Sequence, residues 1–424
     1  VTSVLKRLAG SLVIRVRGEH SSLEGDQKNM RTLTRIAATL GLTALAVAGS
    51  GGHVPGAHAD FGLRGYVYVN DNTAMGGNTV VGFSENGDGT LSPIPGSPFN
   101  VGGAGLGAGL GSQNAIETAY GGRFLLVADA GSSQISVLHI LPNGGLQPVP
   151  GSPFASGGTQ PVSIAVSQNL VYVANTGAVS NYAGFSLSPS GTLTPLAAAP
   201  FAVPQNSVLG DVLFNGDGRH LIGIRVGANP PTVASPSLID SFTIDHNGGL
   251  IAAPGSPYPA QAAGPLGSAF RPTNPNQLFV SNAHAGAGLG SVSAYNVGFN
   301  GTLNALSGSP FADMQTAPCW VAVSPDGRYL VAANTASGSI SSYSINWNGS
   351  LTIMGELTVS GAAPVKPTDL DFDPSGQVLY GLEGGLNALN MVRVHDGYLL
   401  EAPTSPIALP AGGAPSGLVV TPSF

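Results

Sequence analysis

Four short runs of β-branched, aromatic and small residues follow one another from residue 318: "PCWVAVS", "RYLVAANT", "SISSYSINW" and "LTIMGEL". Apolar and polar positions alternate with a period near two, as in strands that bury one face, and Gly, Pro, Asn and Asp bound each run. Between the runs stand the turn "PDG", a short loop and the turn "NGS". The pattern predicts a four-stranded antiparallel meander.

The same order repeats along the chain. A Gly-x-Leu turn recurs at Leu91, Leu146, Leu193, Leu250, Leu303, Leu351 and Leu399, at spacings of 55, 47, 57, 53, 48 and 48 residues. One such sheet cannot bury both of its faces, whereas seven packed face to face around an axis can. The expected fold is therefore all-β, a seven-bladed β-propeller with four-stranded antiparallel blades. The first unit begins at "GLRGYVYVND" and lacks an innermost strand, while the chain ends in a surplus one, "PSGLVVTPSF". The C-terminal strand is expected to join the first blade and close the ring, which removes an open sheet edge. A solenoid would need capping repeats at both ends instead.

A longer phrase marks the joint between units: "NGGLQPVPGSPF", "NGGLIAAPGSPY" and "NGTLNALSGSPF". Its first half reads as the hairpin before the outermost strand, and its Pro as an edge-strand exit where no amide is needed. Phe154, Tyr258 and Phe311 are expected to pack between blades.

Composition adds to this picture. Charged residues make up 9% and hydrophobic ones 42%, with 62 Gly and 33 Pro, as in a turn-rich β-protein. Cys319 is the single cysteine, so a continuous core rather than disulfides must hold the fold. From Met30 the sequence has a basic start (Arg31, Arg35), an apolar run and a small-residue Ala-His-Ala end, the three parts of a secretory signal. The expected division is an upstream extension at 1–29, a signal peptide at 30–59 and one propeller domain at 60–424. Beyond the leader eight basic residues face nineteen acidic ones, a net charge of −11. That excludes an electrostatic footprint for nucleic acid. The expected protein is a secreted or periplasmic (cell-envelope) monomer with no transmembrane segment after cleavage.

At "LVYVANT", "VSPDGRYL" and "RYLVAANT" the chain resembles the YVTN-repeat and lactonase-type seven-bladed propellers, a family that includes 6-phosphogluconolactonase and carboxymuconate cyclase. The resemblance implies lactone chemistry carried by a Gly-Pro-Arg-His stretch leading into one inner strand and by Asn-Glu at the end of the next. Here the stretch reads "AGPLGSAFRPTNPNQLFVSNAH": Leu266 and Gly267 stand for Arg and His, and Ala283 for Glu. Gly264, Pro265 and Asn282 alone match, and His284, one place on, is a candidate substitute.

Aligning the inner strands places Glu117, Ser163, Asp211, Ser268, Trp320, Asp369 and Gly417 in one channel-facing column. Glu117, Asp211 and Asp369 are candidates to bind a cation or polyol, with turn capping and channel water as the plainer account. A second column, Asn70, Asp129, Asn175, Arg225, Asn282, Asn334 and Glu383, closes each second strand. Asn and Asp there can bond to their own loops. Arg225, expected near Asp211, and Glu383, expected near Lys366, break the pattern; Arg225 and Lys366 are candidates for an anionic ligand, with structural ion pairing as the alternative. "DLDFDPSG" starts like a calcium loop, but Tyr380 stands where the twelfth-position acid belongs, so Asp373 reads as a turn opener. Cys319 has no His to activate it and is expected to be inert. "GGAGLGAGLGS", from Gly102 to Ser112, fits no phosphate loop and reads as a flexible connector. No metal or cofactor is expected. The reading favoured is a non-catalytic or catalytically diverged propeller that binds a small molecule, glycan or cell-envelope partner over its top face. The alternative is a lactone hydrolase or muconate-type cyclase with a relocated site at Arg225, Lys366, Glu383 and His284.

Overall fold

The computed structural model describes residues 63–423, apart from 75, 88, 198–199 and 362–363. The expected upstream extension and signal peptide lie outside the described residues.

Seven sheets follow one another along the chain, each an antiparallel meander. Their inner strands are Leu418–Pro422 for blade 1, then Ile116–Ala119, Pro161–Ser167, Leu209–Phe214, Pro265–Arg271, Pro318–Val323 and Pro367–Phe372 for blades 2 to 7. Blade 1 is completed by the C-terminal strand, which pairs with Gly65–Asn70 in the register Gly65↔Pro422 to Val69↔Leu418. The surplus last strand thus fills the deficit of the first unit, as its sequence required.

Among the described residues the hydrophobic core is divided into seven clusters, each drawing mainly on adjoining blades. Phe124, Val137, Ile164 and Phe185 share one between blades 2 and 3, and Val69, Phe83, Leu382 and Met391 share another between blades 7 and 1. Apolar residues on both faces of each sheet are buried this way, which explains a chain rich in apolar and poor in charged residues.

The recurrent phrase is a joint with two jobs. In blade 2, Leu146–Pro148 and Phe154–Ala155 pair in turn with the third strand, Gln134–Ile140. Between these two short pieces the Ser152 hydroxyl accepts the Val137 amide at 2.9 Å. Ser97, Ser256, Ser309 and Ser405 do the same for Gly82, Ser241, Ala294 and Met391. In these five blades the Ser-Pro peptide is cis. The hairpin glycine carries the second job. Gly144 has φ +77°, and a Cβ there would lie 2.4 Å from the Tyr66 ring of the preceding blade. Tyr68 donates its hydroxyl to Gly144 O, at 2.7 Å. Glycine is needed both for the left-handed turn and for the close approach of two blades.

Phe154 and Phe311 pack into inter-blade clusters as expected. Tyr258 differs. Its hydroxyl turns back to Pro254 O in its own loop, and the ring stays partly exposed.

Candidate functional site

All inner strands run the same way around the axis, so one end of the ring, here the top, carries the loops that enter them. The loops from second to third strands share this end, as shown by Val226 N donating to Val208 O and Gly131 N to Ala104 O. An inner strand has a neighbour only on its outer side. Its other edge faces the channel with free amides and carbonyls, and each such group, once buried, must find a partner.

The end of the glycine-rich stretch and the two residues after it, Ser112 to Asn114, supply many of those partners. This segment is not a slack connector, as its composition suggested, but a stopper laid across the axis. Gln113 Nε2 donates to Ser268 O and Val321 O at 3.1 and 3.0 Å, and its Oε1 accepts Val321 N at 3.2 Å. Gln113 N donates to Gly210 O, Asn114 O accepts Ile164 N, and Ser112 Oγ donates to Val162 O. Trp320 Nε1 donates to Ser112 O at 2.8 Å. One short segment thereby ties blades 3, 4, 5 and 6 together across the channel. It can come this close because Gly267 has no side chain: a Cβ there would lie 2.2 Å from Gln113 Oε1 and 2.8 Å from Cys319 O.

The stopper lies between two spaces. Above it, Gly109 to Ser112 line a small mouth pocket of about 110 Å³ with Trp320, Thr368, Asp369 and Pro415. Below it, a chamber of about 320 Å³ is bounded by Gln113, Glu117, Leu213, Phe270, Asp369 and Asp371.

The four channel acids have different roles. Asp211 is fully engaged: Oδ1 accepts Asn114 Nδ2 and Ser163 Oγ, and Oδ2 accepts Ser268 N and Oγ. Burial pushes it up to about 6, against the opposing Ser268 and Ser163 bonds. Asp369 Oδ2 accepts Leu418 N at 2.9 Å, and Asp371 Oδ2 accepts Val420 N at 2.8 Å. These two carboxylates cap the channel edge of the closing strand. Burial raises Asp369 to about 8 and Asp371 to about 7. Glu117 faces the chamber half-buried, pushed up to about 8 first by burial and then by Asp371.

One alignment changes. Ile116 opposes Val127, so Glu117 sits two residues deeper than Asp211 and level with Leu213 and Asp371. The reason is the stopper, which uses residues that elsewhere begin the inner strand. The residues that sequence reasoning missed are Gln113, Asn114 and Asp371; for Asp371 a signal existed in "DLDFD". Its three acids are spent on separate amides, Asp373 on Val378 N and Ser375 N. Among the described residues no group of three or more His, Cys, Asp or Glu side chains is placed to hold a metal ion.

The second column's side chains pair within their own blades. Arg225 pairs with Asp240, not with Asp211: Nε and Nη2 each reach a carboxylate oxygen at 2.6 Å, and Tyr182 OH donates to the same acid. The Arg225 side chain is 12% exposed. Glu383, on blade 7, is buried and accepts Asn390 Nδ2 at 2.7 Å, with its other oxygen unpartnered. Burial, with a smaller contribution from Glu401, raises it to about 8. Elsewhere in the column Asp129 binds Ser136, Asn282 binds Ser293 and Asn334 binds Ser341. Arg225 and Glu383 therefore do the column's ordinary work, with a matched partner two residues into the third strand instead of their own loop. Lys366 is exposed on the top face. His284 is half-buried over Gly264, its pKa lowered by burial, with Nδ1 unpartnered. Cys319 is buried, its thiol pushed up to about 11 by burial.

Fold and channel together define a seven-bladed β-propeller with a stoppered axis. Residues 231–422 match the family described as "Lactonase, 7-bladed beta-propeller", so this part of the chain is similar to the lactonase-type propellers. A candidate 6-phosphogluconolactonase of Bacteroides fragilis is similar in fold, with TM-score 0.66 at 18% identity over 86% of this chain and 99% of its own. The periplasmic gluconolactonase of Pseudomonas aeruginosa gives 0.65 at 17% identity, over 86% and 100%. A Lactobacillus plantarum protein gives 0.62 at 14%, over 84% and 99%. No curated protein sequence matches the chain.

Two predictions follow from the channel. Gln113→Ala strips several buried backbone groups of partners, at about 1–3 kcal/mol, and Gly267→Ala overpacks the same spot at about 1–3 kcal/mol. The double variant should lose less than the sum of the two in urea unfolding, because both changes act on one contact; strict additivity would show that Gln113 does not occupy the Gly267 space. The raised acids fix the pH profile. Below about pH 4 folded and unfolded chains are both protonated at these sites; between there and about 8 the folded chain keeps protons that the unfolded chain has lost, so stability falls as pH rises. Thermal unfolding should occur at a higher temperature at pH 5 than at pH 8.5. Glu383→Gln should raise stability by ~1 kcal/mol at pH 8.5 and change it little at pH 5. An unchanged midpoint at both pH values contradicts the assignment.

Proposed function

We propose that this protein is an exported lactonase-family propeller that has given up lactone hydrolysis and acts as a binding protein through its top face. One observation carries the reading: the place of the family's Arg and His is held by Leu266 and Gly267, and the space beside Gly267 is filled by Gln113. A lactone ring has neither a guanidinium clamp nor a proton carrier there, and the relocated candidates do not replace them. Arg225 is consumed by Asp240 on blade 4, and Glu383 is a buried acid on blade 7.

The top face itself supports a binding role. In its described loops Lys366 is the single exposed charged side chain, while Leu106, Val179, Val208, Val233, Leu289 and Met314 are exposed apolar ones. Such a surface favours an uncharged partner. It also lowers the weight of the anionic ligand that Arg225 and Lys366 suggested, because only Lys366 is free to meet one.

The family match supports the rival reading, a lactone hydrolase. A panel of aldonolactones and 6-phosphogluconolactone decides between them. The expected result is hydrolysis no faster than buffer; turnover that falls at least tenfold in Arg225→Ala or Glu383→Gln, with the fold intact, would overturn the binding reading. Export is checked separately: N-terminal sequencing of protein recovered outside the cytoplasm should begin near Asp60, and an intact Met30 or Val1 terminus would refute the signal peptide.

A further inference from the structure

The bottom of the propeller, opposite the proposed binding face, carries a built groove. Two cavities of about 510 and 400 Å³ adjoin there, each within the size range of ligand sites. They share Gln168 and Asn169, which form the turn after the blade 3 inner strand. One end is the Tyr120 ring, 37% exposed; its hydroxyl is anchored on Leu187 O at 2.7 Å, so the ring is held as a fixed wall. The other end is formed by Asp217 and by Asp245 and His246 of the blade 4 hairpin.

From His246 the line continues over the next two blades. The hairpins read "DHNGG", "GFNGT" and "NWNGS", so His246, Phe299 and Trp347 hold one structural position in blades 4, 5 and 6. Phe299 and Trp347 are each 90% exposed. Their turns are braced from within, Asn300 accepting Thr302 N and Asn348 accepting Ser350 N. A single exposed aromatic needs no explanation, but rings repeated at one position of consecutive blades, beside a groove, make a track.

We propose that this track binds a neutral oligosaccharide chain. Sugar rings offer an apolar face, which stacks on aromatic rings, and a rim of hydroxyls, which needs donors and acceptors. Aromatic walls, amides and carboxylates alternate here in that way. The side-chain amides of Gln168 and Asn169 make no hydrogen bond to another described residue, so they are free for hydroxyls. The linings contain no Lys or Arg, and the Gly249 and Asn247 amides hold Asp245 below the usual carboxylate range, so it repels anions. A bilayer surface fits less well, since carboxylates and amides interrupt the rings.

The test uses the folded propeller chain and three neutral probes, cellohexaose, chitohexaose and maltohexaose, with polygalacturonate as the anionic counterpart. Trp347 is the exposed one of two tryptophans, the other, Trp320, being buried, so emission reports the track directly. At least one hexasaccharide should change emission saturably, and calorimetry should give the same affinity. Asn169→Ala, read by calorimetry or emission, and Trp347→Ala, read by calorimetry, should each weaken binding at least fivefold at an unchanged melting temperature. Lys366→Ala, on the opposite face, should leave binding unchanged, so the result is independent of the top-face reading. No binding by any of the three probes, binding indifferent to both groove variants, tighter binding of polygalacturonate, or binding only to phosphatidylcholine vesicles would each overturn the proposal.

Discussion

Seven inner strands that meet around an axis leave one set of backbone groups facing inward, and satisfying those groups governs the rest of this molecule. An unpaired buried amide or carbonyl costs about 1–3 kcal/mol, and seven strand edges present many. A wide channel would leave the work to water. Here much of it is done by side chains and by the chain itself: Asp211 caps Ser268, Asp369 and Asp371 cap the closing strand, and residues 112–114 reach four blades. Acidic residues at a channel are easily taken for a ligand site. In this chain most of their oxygens already hold protein donors, and burial holds them near or above neutral pKa because no cation is paired with them.

The same constraint separates what the sequence made readable from what it concealed. Blade number, strand order, ring closure and the role of the "NGGL…GSPF" phrase follow from periodicity and turn chemistry, which are local, and the structure has all of them. The stopper is not local. Its partners, Ser268, Val321 and Gly210, lie 97 to 208 residues away, and nothing in a run of Gly and Ala announces where it will be held. Because it consumes the start of the blade 2 inner strand, it also shifts Glu117 by two places, an offset invisible to an alignment that assumes equal strands. Arg225 and Glu383 looked exceptional for a related reason. Each was read alone, whereas the pairs Arg225–Asp240 and Glu383–Asn390 occupy the same two positions as Asp129–Ser136 and Asn334–Ser341. A substitution matched by its partner changes the charge of the pair and keeps its place in the blade.

The family's chemistry and this chain's packing compete for one volume. A lactonase-type mouth needs an open inner-strand entrance with charged side chains directed into it, as the resemblance to Gly-Pro-Arg-His implies. Here Gly267 permits the neighbouring backbone and Gln113 to close that entrance, and a side chain restored at 267 would collide with Cys319 O and Trp320 as well as with Gln113. Recovering the family's residues would thus require moving the stopper, and with it the bonds that join blades 3 to 6. Leu266 and Gly267 at these positions and the stopper that packs on Gly267 are thus two aspects of one arrangement.

The two ends of the ring then differ in chemistry for a reason rooted in the repeat. Top loops enter the packed inner strands or join second to third strands and lie against one another, and they are built largely of Gly, Ala, Ser and Pro and carry little charge. Bottom turns are short hairpins that meet the adjoining blades through few contacts, such as Asn215 Nδ2 to Pro275 O and Arg271 Nε to Gly327 O, and tips such as Phe299 and Trp347 stand exposed. Charge accumulates there, as Asp217, Arg219, Asp326 and Arg328, and so do the rings of Phe299 and Trp347. A position whose backbone is fixed by its turn, while its side chain is constrained by nothing, is where a repeat protein can acquire recognition without disturbing its core. In this propeller those positions lie on the face opposite the mouth pocket.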